Sequence, residues 1–236
     1  MFSKEYSFRY GDLDNKFNIK ISTVLDILQD ISILHSDFVG FSLEKLYSMN
    51  IAWLLKGWRI RFLSKLDFNN SITVKTGIMR TNKFESVRKY EIWQNGVCKV
   101  IATAEWFTVD TQKMSLAKTP PELHEAFESI NEQDNNLPFV KLRGEKEMTF
   151  NTQMSVQLRD MDSNNHVNNV KSVEILLDYV PKNAEFNEIQ ITYRKELHKE
   201  DTIKICTKPT EDGFLAELQN QNNETCVILK TTKTDC

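Results

Sequence analysis

Segment 159–169 packs two carboxylates, an imidazole and four amides into eleven residues. It places Asp160, Asp162, Asn164, His166, Asn168 and Asn169 in one short run without glycine. An imidazole among carboxylates is acid–base equipment, because its neighbours set both its ring orientation and its proton affinity. The amides add neutral donors for a developing negative charge. The bland alternative is an Asx-rich loop that only caps the following helix, since Asn and Asp favour turns and N-caps.

A comparison inside the chain weighs against that alternative. Asp12, Asp14, Ile27, Leu28 and Asp30 align at one constant spacing with Asp160, Asp162, Ile175, Leu176 and Asp178. Further on, Ile60, Leu66, Ile72 and Thr76 align with Ile191, Leu197, Ile203 and Thr207, with a shorter connection in the second copy. Two collinear blocks indicate a duplicated half-chain. The first copy keeps the two aspartates but has Lys16, Asn18, Lys20 and Ile21 where the second has Asn164, His166, Asn168 and Asn169. One loop therefore reads as scaffold, and the other carries an added polar set.

The elements that must hold these loops are the same in both halves. A first strand (5–10; 149–158) leads into the Asp-x-Asp loop. A helix follows: in the first half Val24, Leu25, Ile27, Leu28, Ile31 and Leu34 recur at helical spacing, with Ser22 or Thr23 as its cap. In the second half the spacing predicts a helix over 170–179, stopped by Pro181. Strands come next, at 53–62, 71–80, 86–94 and 97–109, then at 188–193, 202–207, 214–219 and 225–231. Asn95-Gly96 marks a hairpin turn. A helix followed by antiparallel strands, twice over, is an α+β plan in which the sheet wraps an apolar helix. The expected organisation is a first domain at 1–115, a linker at 116–146 with a short helix over 121–127 capped by Thr119, and a second domain at 147–236.

Composition narrows the class. The 236 residues are 40% hydrophobic and 27% charged, enough for a core without disulfide or metal staples. A net charge of −3 brings no global attraction to nucleic acid or to an anionic membrane. No apolar run approaches the roughly 18 residues of a membrane span, and the N-terminal residues lack a signal-peptide core. The expectation is a cytoplasmic chain with reduced, inert thiols at Cys98, Cys206, Cys226 and Cys236. The four histidines do not cluster with these cysteines in sequence, so no metal or other cofactor is expected. His35 reads as a helix-surface or core-edge residue, His124 as part of the linker, and His198 as part of a charged turn. P-loop, dinucleotide, serine-hydrolase and zincin motifs do not occur.

The pattern Asp162-x-Asn164-x-His166-Val-Asn-Asn169, followed by an aliphatic helix, resembles the active-site signature of hotdog-fold thioesterases. In tandem form, with Tyr193-Arg-Lys-Glu196-Leu197 about thirty residues on, the chain resembles the acyl-ACP (acyl carrier protein) thioesterases of plants and bacteria. Trp53-x-Leu55 and Glu105-Trp-Phe-Thr-Val-Asp110 are similar to family segments in the first half. The resemblance implies two tandem hotdog domains forming an internal pseudo-dimer, with a homodimer of whole chains also compatible. It implies hydrolysis of a fatty acyl thioester on acyl carrier protein, with no cofactor, no nucleic acid and no membrane insertion.

Site residues follow from the same resemblance. Asp162, Asn164, His166 and Glu196 would be catalytic. Leu197 stands where plant members have cysteine, which removes a thiol nucleophile at that position. Thioester hydrolysis needs an attacking oxygen, donors for the oxyanion and an acid for the thiolate. Asp162 or Glu196 could activate water while His166 and Asn164 donate; direct attack by a carboxylate through a mixed anhydride is the second route. The acyl tail would lie in the first half, against Val24, Leu28, Phe38 and Trp53. Arg159, Lys171, Arg194, Lys195 and Lys199 flank the site in sequence and would dock an acidic carrier. An acyl-CoA hydrolase, a hotdog hydratase or dehydratase, and a non-catalytic acyl-thioester sensor are the rival readings.

Overall fold

The computed structural model describes residues 1–127, 137–162 and 165–234. The chain divides into two compact units, Met1–Lys56 with Ile60–Phe139, and Gly57–Arg59 with Val140–Cys236.

In the first unit, β1 (Phe2–Tyr6) precedes α1 (Ile21–Phe38) and α2 (Leu43–Ser48). The strands β2 (Ile51–Phe62), β3 (Ile72–Thr81), β4 (Glu85–Gln94) and β5 (Val97–Asp110) follow, then the short β6 (Ser115–Leu116) and α3 (Pro121–Ala126). The second unit has β7 (Thr149–Ser155), α4 (Asn169–Leu177), β8 (Glu188–Tyr193), β9 (Thr202–Thr210), β10 (Gly213–Gln219) and β11 (Thr225–Thr232). Sheet order is β1-β3-β4-β5-β2 in the first unit and β7-β9-β10-β11-β8 in the second. These are one topology written twice: β1–β3, β3–β4 and β4–β5 pair antiparallel in the first unit, as do β7–β9, β9–β10, β10–β11 and β11–β8 in the second. The duplication read from the sequence is therefore a duplication of fold.

Each helix packs on its own sheet, α1 against β1 and β3 and α4 against β10 and β11. On α1 the side chains of Val24, Leu25, Leu28 and Ile31 are buried. Each of these large apolar groups contributes about 1.5–3 kcal/mol by leaving water. The helix ends in a Schellman motif: Gly40 has φ +85°, its N–H donates to the Asp37 carbonyl, and Phe41 N–H donates to the Ser36 carbonyl. Glycine carries that left-handed turn without strain. It swings the chain so that buried Phe41 joins Leu46, Ile78, Leu123 and Phe127 in a cluster that Trp53 flanks.

Several expectations change. The N-cap of α1 is Lys20, while Ser22 and Thr23 are buried in the first turn. The cap of α3 is Pro120; Thr119 instead bonds its hydroxyl to that of Thr108 at 2.8 Å. Of the two readings of His35, core edge holds and helix surface does not. The residue is buried, its ring stacks on Phe2 at 5.2 Å, and Arg88 Nη1 donates to its Nδ1 at 2.7 Å. Burial, and then the Arg88 charge, push its pKa down to about 4. The polar part of the linker, 128–136, and Cys236 lie outside the described residues.

Candidate active site

The two Asp-x-Asp loops have the same backbone. In the first, a 3-10 turn at Tyr10–Asp12 is closed by Arg9 N–H donating to Asp12 Oδ2 at 2.6 Å. In the second, Leu158–Asp160 is closed by Gln157 N–H donating to Asp160 Oδ2 at 3.0 Å. The second aspartate then holds the tip. Asp14 Oδ1 accepts from Asn18 N–H at 2.8 Å, and Asp162 Oδ1 accepts from His166 N–H at 3.1 Å. Short bridges Leu13–Ile19 and Met161–Val167 close the loops, with Phe17 and Asn165 both at φ 61°. Asp160 and Asp162 thus have a structural task that their counterparts share.

The side chains on this common frame differ. In the second unit His166 Nε2 lies 3.3 Å from Glu196 Oε2, which stands just beyond β8. The His166 ring is a quarter exposed, so the pair is open to a substrate. Glu196 aligns with Lys65 in the repeat, and Lys65 Nζ donates to Asn18 Oδ1 at 3.5 Å. The same two positions meet in both units. In one they form an ammonium–amide contact with no group able to accept a proton near neutral pH, and in the other an imidazole–carboxylate pair. That correspondence was already in the alignment that matched Leu66 with Leu197, one residue further on.

Other contacts set the pair in place. Val167 N–H donates to the carbonyl of buried Leu197 at 2.7 Å, tying the loop to the segment that carries Glu196. Asn168 caps α4, its side-chain oxygen accepting from Val170 and Lys171 N–H groups. Tyr193 donates to the Asn169 carbonyl at 3.2 Å, and burial pushes its phenol up, so it remains a donor. His198 lies edge-on to His166, ring centroids 5.0 Å apart. Tyr193 opens the segment that resembles the family's, whereas nothing in the sequence singles out His198 for the site, because it lies far from the motif along the chain. Asn164 lies outside the described residues.

The remaining site expectations divide. Val24 and Leu28 are fully buried, and Trp53 is half-buried against the Phe41 cluster. Phe38 is 75% exposed at the end of α1, so it shares no enclosed lining with them. The five docking residues are all exposed. Two are engaged by carboxylates: Lys171 with Glu174 at 2.6 Å and Lys195 with Glu224. Arg194 instead lines a surface cleft with Lys141, Arg143 and Lys146, beside Glu145 and Glu217.

A family model for the acyl-ACP thioesterase N-terminal domain matches residues 1–127, and one for the C-terminal domain matches residues 144–235. The chain belongs to the acyl-ACP thioesterase family. Its fold is similar to that of an acyl-ACP thioesterase from Bacteroides thetaiotaomicron, with TM-score 0.83 and 15% identity over 98% of this chain and 96% of that one. The 12:0-ACP thioesterase from Umbellularia californica superposes with TM-score 0.82 and 15% identity, covering 98% of this chain and 96% of that one. In sequence, the chloroplastic palmitoyl-acyl carrier protein thioesterase of Cuphea hookeriana is 21% identical over 242 residues, covering 93% of this chain. The chain spans 58% of the length of that relative. The α+β, tandem-hotdog architecture is that of the family. No helix among the described residues is long and apolar enough to cross a membrane.

Proposed function

We propose that the chain hydrolyses the thioester of fatty acyl-ACP, releasing the free fatty acid in the cytoplasm, with 147–236 as the catalytic half and 1–115 as the half that receives the acyl chain. The observation that carries this reading is the 3.3 Å contact between His166 and Glu196, on a loop whose twin in the other unit has an amide and an ammonium instead. A water oxygen attacks the thioester carbonyl carbon while its proton enters the His166–Glu196 pair. The tetrahedral oxyanion is met by neutral donors, among them the amide of Asn164. The carbon–sulfur bond then breaks, and the same proton leaves the pair on the thiolate sulfur. Asp162 holds the loop that presents His166. The reaction uses no thiol at the position where plant members carry cysteine, since Leu197 occupies it, and burial pushes the thiols of Cys206 and Cys226 up, the latter to about 11. The carrier docks through exposed cations around the site, with Arg194 in place of the engaged Lys171 and Lys195.

The test is incubation with long-chain acyl-ACP, monitoring free thiol, hydration of an enoyl substrate, and hydrolysis of acyl-CoA side by side. Thiol release that falls at least about a hundredfold in folded His166→Ala is the expected result. Hydration without hydrolysis, or wild-type rates in His166→Ala, would overturn the reading.

A further inference from the structure

His166 and Glu196 have a third neighbour that the hydrolytic reaction does not use. One ligand-capable atom from each of His166, Glu196 and His198 lies within 4.8 Å of the other two. Two imidazoles and a carboxylate are a donor set that a zinc-type cation takes with three protein ligands, leaving a fourth position for water. A tetrahedral site needs its donors about 3.3 Å apart, and the His166–Glu196 contact already has that separation. The side chains of Glu196 and His198 are exposed and free to close the remaining gap. The backbone of His198 is fixed by a turn, in which its N–H donates to Asp201 Oδ2 at 2.8 Å and Asp201 N–H donates back to its carbonyl at 3.0 Å. In the first unit the aligned residues are Asn18, Lys65 and Asp67, a set that repels a cation through its ammonium.

We propose that His166, Glu196 and His198 form a site for a zinc-type divalent cation, and that its occupation blocks hydrolysis. The inference rests on the hydrolytic reading of the same pair. A bound cation takes the lone pairs of His166 and Glu196 that would otherwise accept the proton of water, so the chain is active when metal-free and restrained by the metal. Chelator then protects activity and does not abolish it. Hard cations such as magnesium, which prefer all-oxygen shells, do not inhibit.

The experiment titrates chelator-treated protein with zinc chloride by calorimetry and follows acyl-ACP hydrolysis in parallel, for wild type, His198→Ala and His198→Cys. Zinc is expected to bind wild type one-to-one and to inhibit it. His198→Ala, compared with its own rate without metal, should show zinc affinity and inhibition weakened at least about tenfold. His198→Cys, which restores a soft ligand, should recover the affinity. Absence of binding heat with wild type, or equal zinc affinity in His198→Ala, would overturn the site. Binding that follows this pattern in protein without hydrolytic activity would leave the cation site standing and overturn the functional reading instead.

Discussion

Asp162 and His166 belong to one proposed machine but stand on different physical footings. The Asp162 carboxylate accepts the amide of His166, as Asp14 accepts that of Asn18, so each aspartate shapes its own loop. The imidazole makes no such contribution to the frame. Asp162→Ala and Asp14→Ala are therefore each expected to lower stability by roughly 1.5 kcal/mol, the scale of a lost hydrogen bond to a charged group. His166→Ala should leave stability nearly unchanged. Activity divides along the other line: His166→Ala and Asp162→Ala lose at least about a hundredfold, while Asp14→Ala and Asn18→Ala retain turnover per folded molecule. Melting curves beside kinetics separate the two effects. Equal stability losses for His166→Ala and Asp162→Ala would contradict the division.

His35 supplies a second prediction at this scale. Its pKa falls from an ordinary value near 6.5 to about 4 in the folded chain. The unfolded chain therefore binds a proton between those values that the folded chain refuses. Stability from this group is fully present above pH 6.5 and is lost as pH falls toward 4, by roughly 3 kcal/mol at the limit. Urea denaturation of wild type and His35→Gln across that range should show a shallower pH dependence in the variant. Parallel pH profiles would remove His35 as the cause.

Among the elements, the repeat helices α1 and α4 differ in how they start and in length. α4 begins at a side-chain cap, Asn168, and has 9 residues; α1 begins at Lys20 without one and has 18. A longer helix offsets a missing cap by burying more apolar surface, whereas a short helix depends on its end. Replacing Asn168 by Ala should cost about 1 kcal/mol, and Lys20→Ala almost nothing. Because α4 starts where the His166 loop ends, the Asn168 variant should also weaken turnover. Thermal unfolding of both variants checks the energetic part, and a negligible effect of Asn168→Ala would show that packing alone holds α4.

For the whole molecule, division of labour between the halves is the property to test. α1 presents Val24 and Leu28 in a fully buried apolar face, and each methylene of an acyl chain sheltered on such a surface is worth about 0.8 kcal/mol. Val24→Trp is expected to shift kcat/KM toward shorter acyl chains, read across an acyl-ACP length series with melting temperatures alongside. A uniform loss at every length, tracking stability, would assign α1 to core alone.

Much of this was legible in residues read along the chain. The repeat, its α+β plan and the unequal polar sets of its two loops follow from periodicity and from matched side chains, because alternation and helical spacing are local consequences of burying one face. Helix ends were less legible. Local spacing offers Ser22 or Thr23 as the cap of α1, but both side chains are buried in the fold and the helix starts at Lys20. Phe38 carries the right chemistry for an acyl lining, yet the helix turns it outward, and only packing decides which way a residue near a helix end faces. The charge of Lys171 and Lys195 is plain in the sequence; the carboxylates that engage them come from the fold. The approach of Glu196 to His166, and of His198 to both, needed the tertiary structure most. Thirty residues separate them along the chain, and their meeting depends on the Val167–Leu197 backbone bond that draws the loop to the segment after β8. Sequence sets which groups a protein can bring to a reaction; the distance between groups far apart along the chain is a property of the folded backbone.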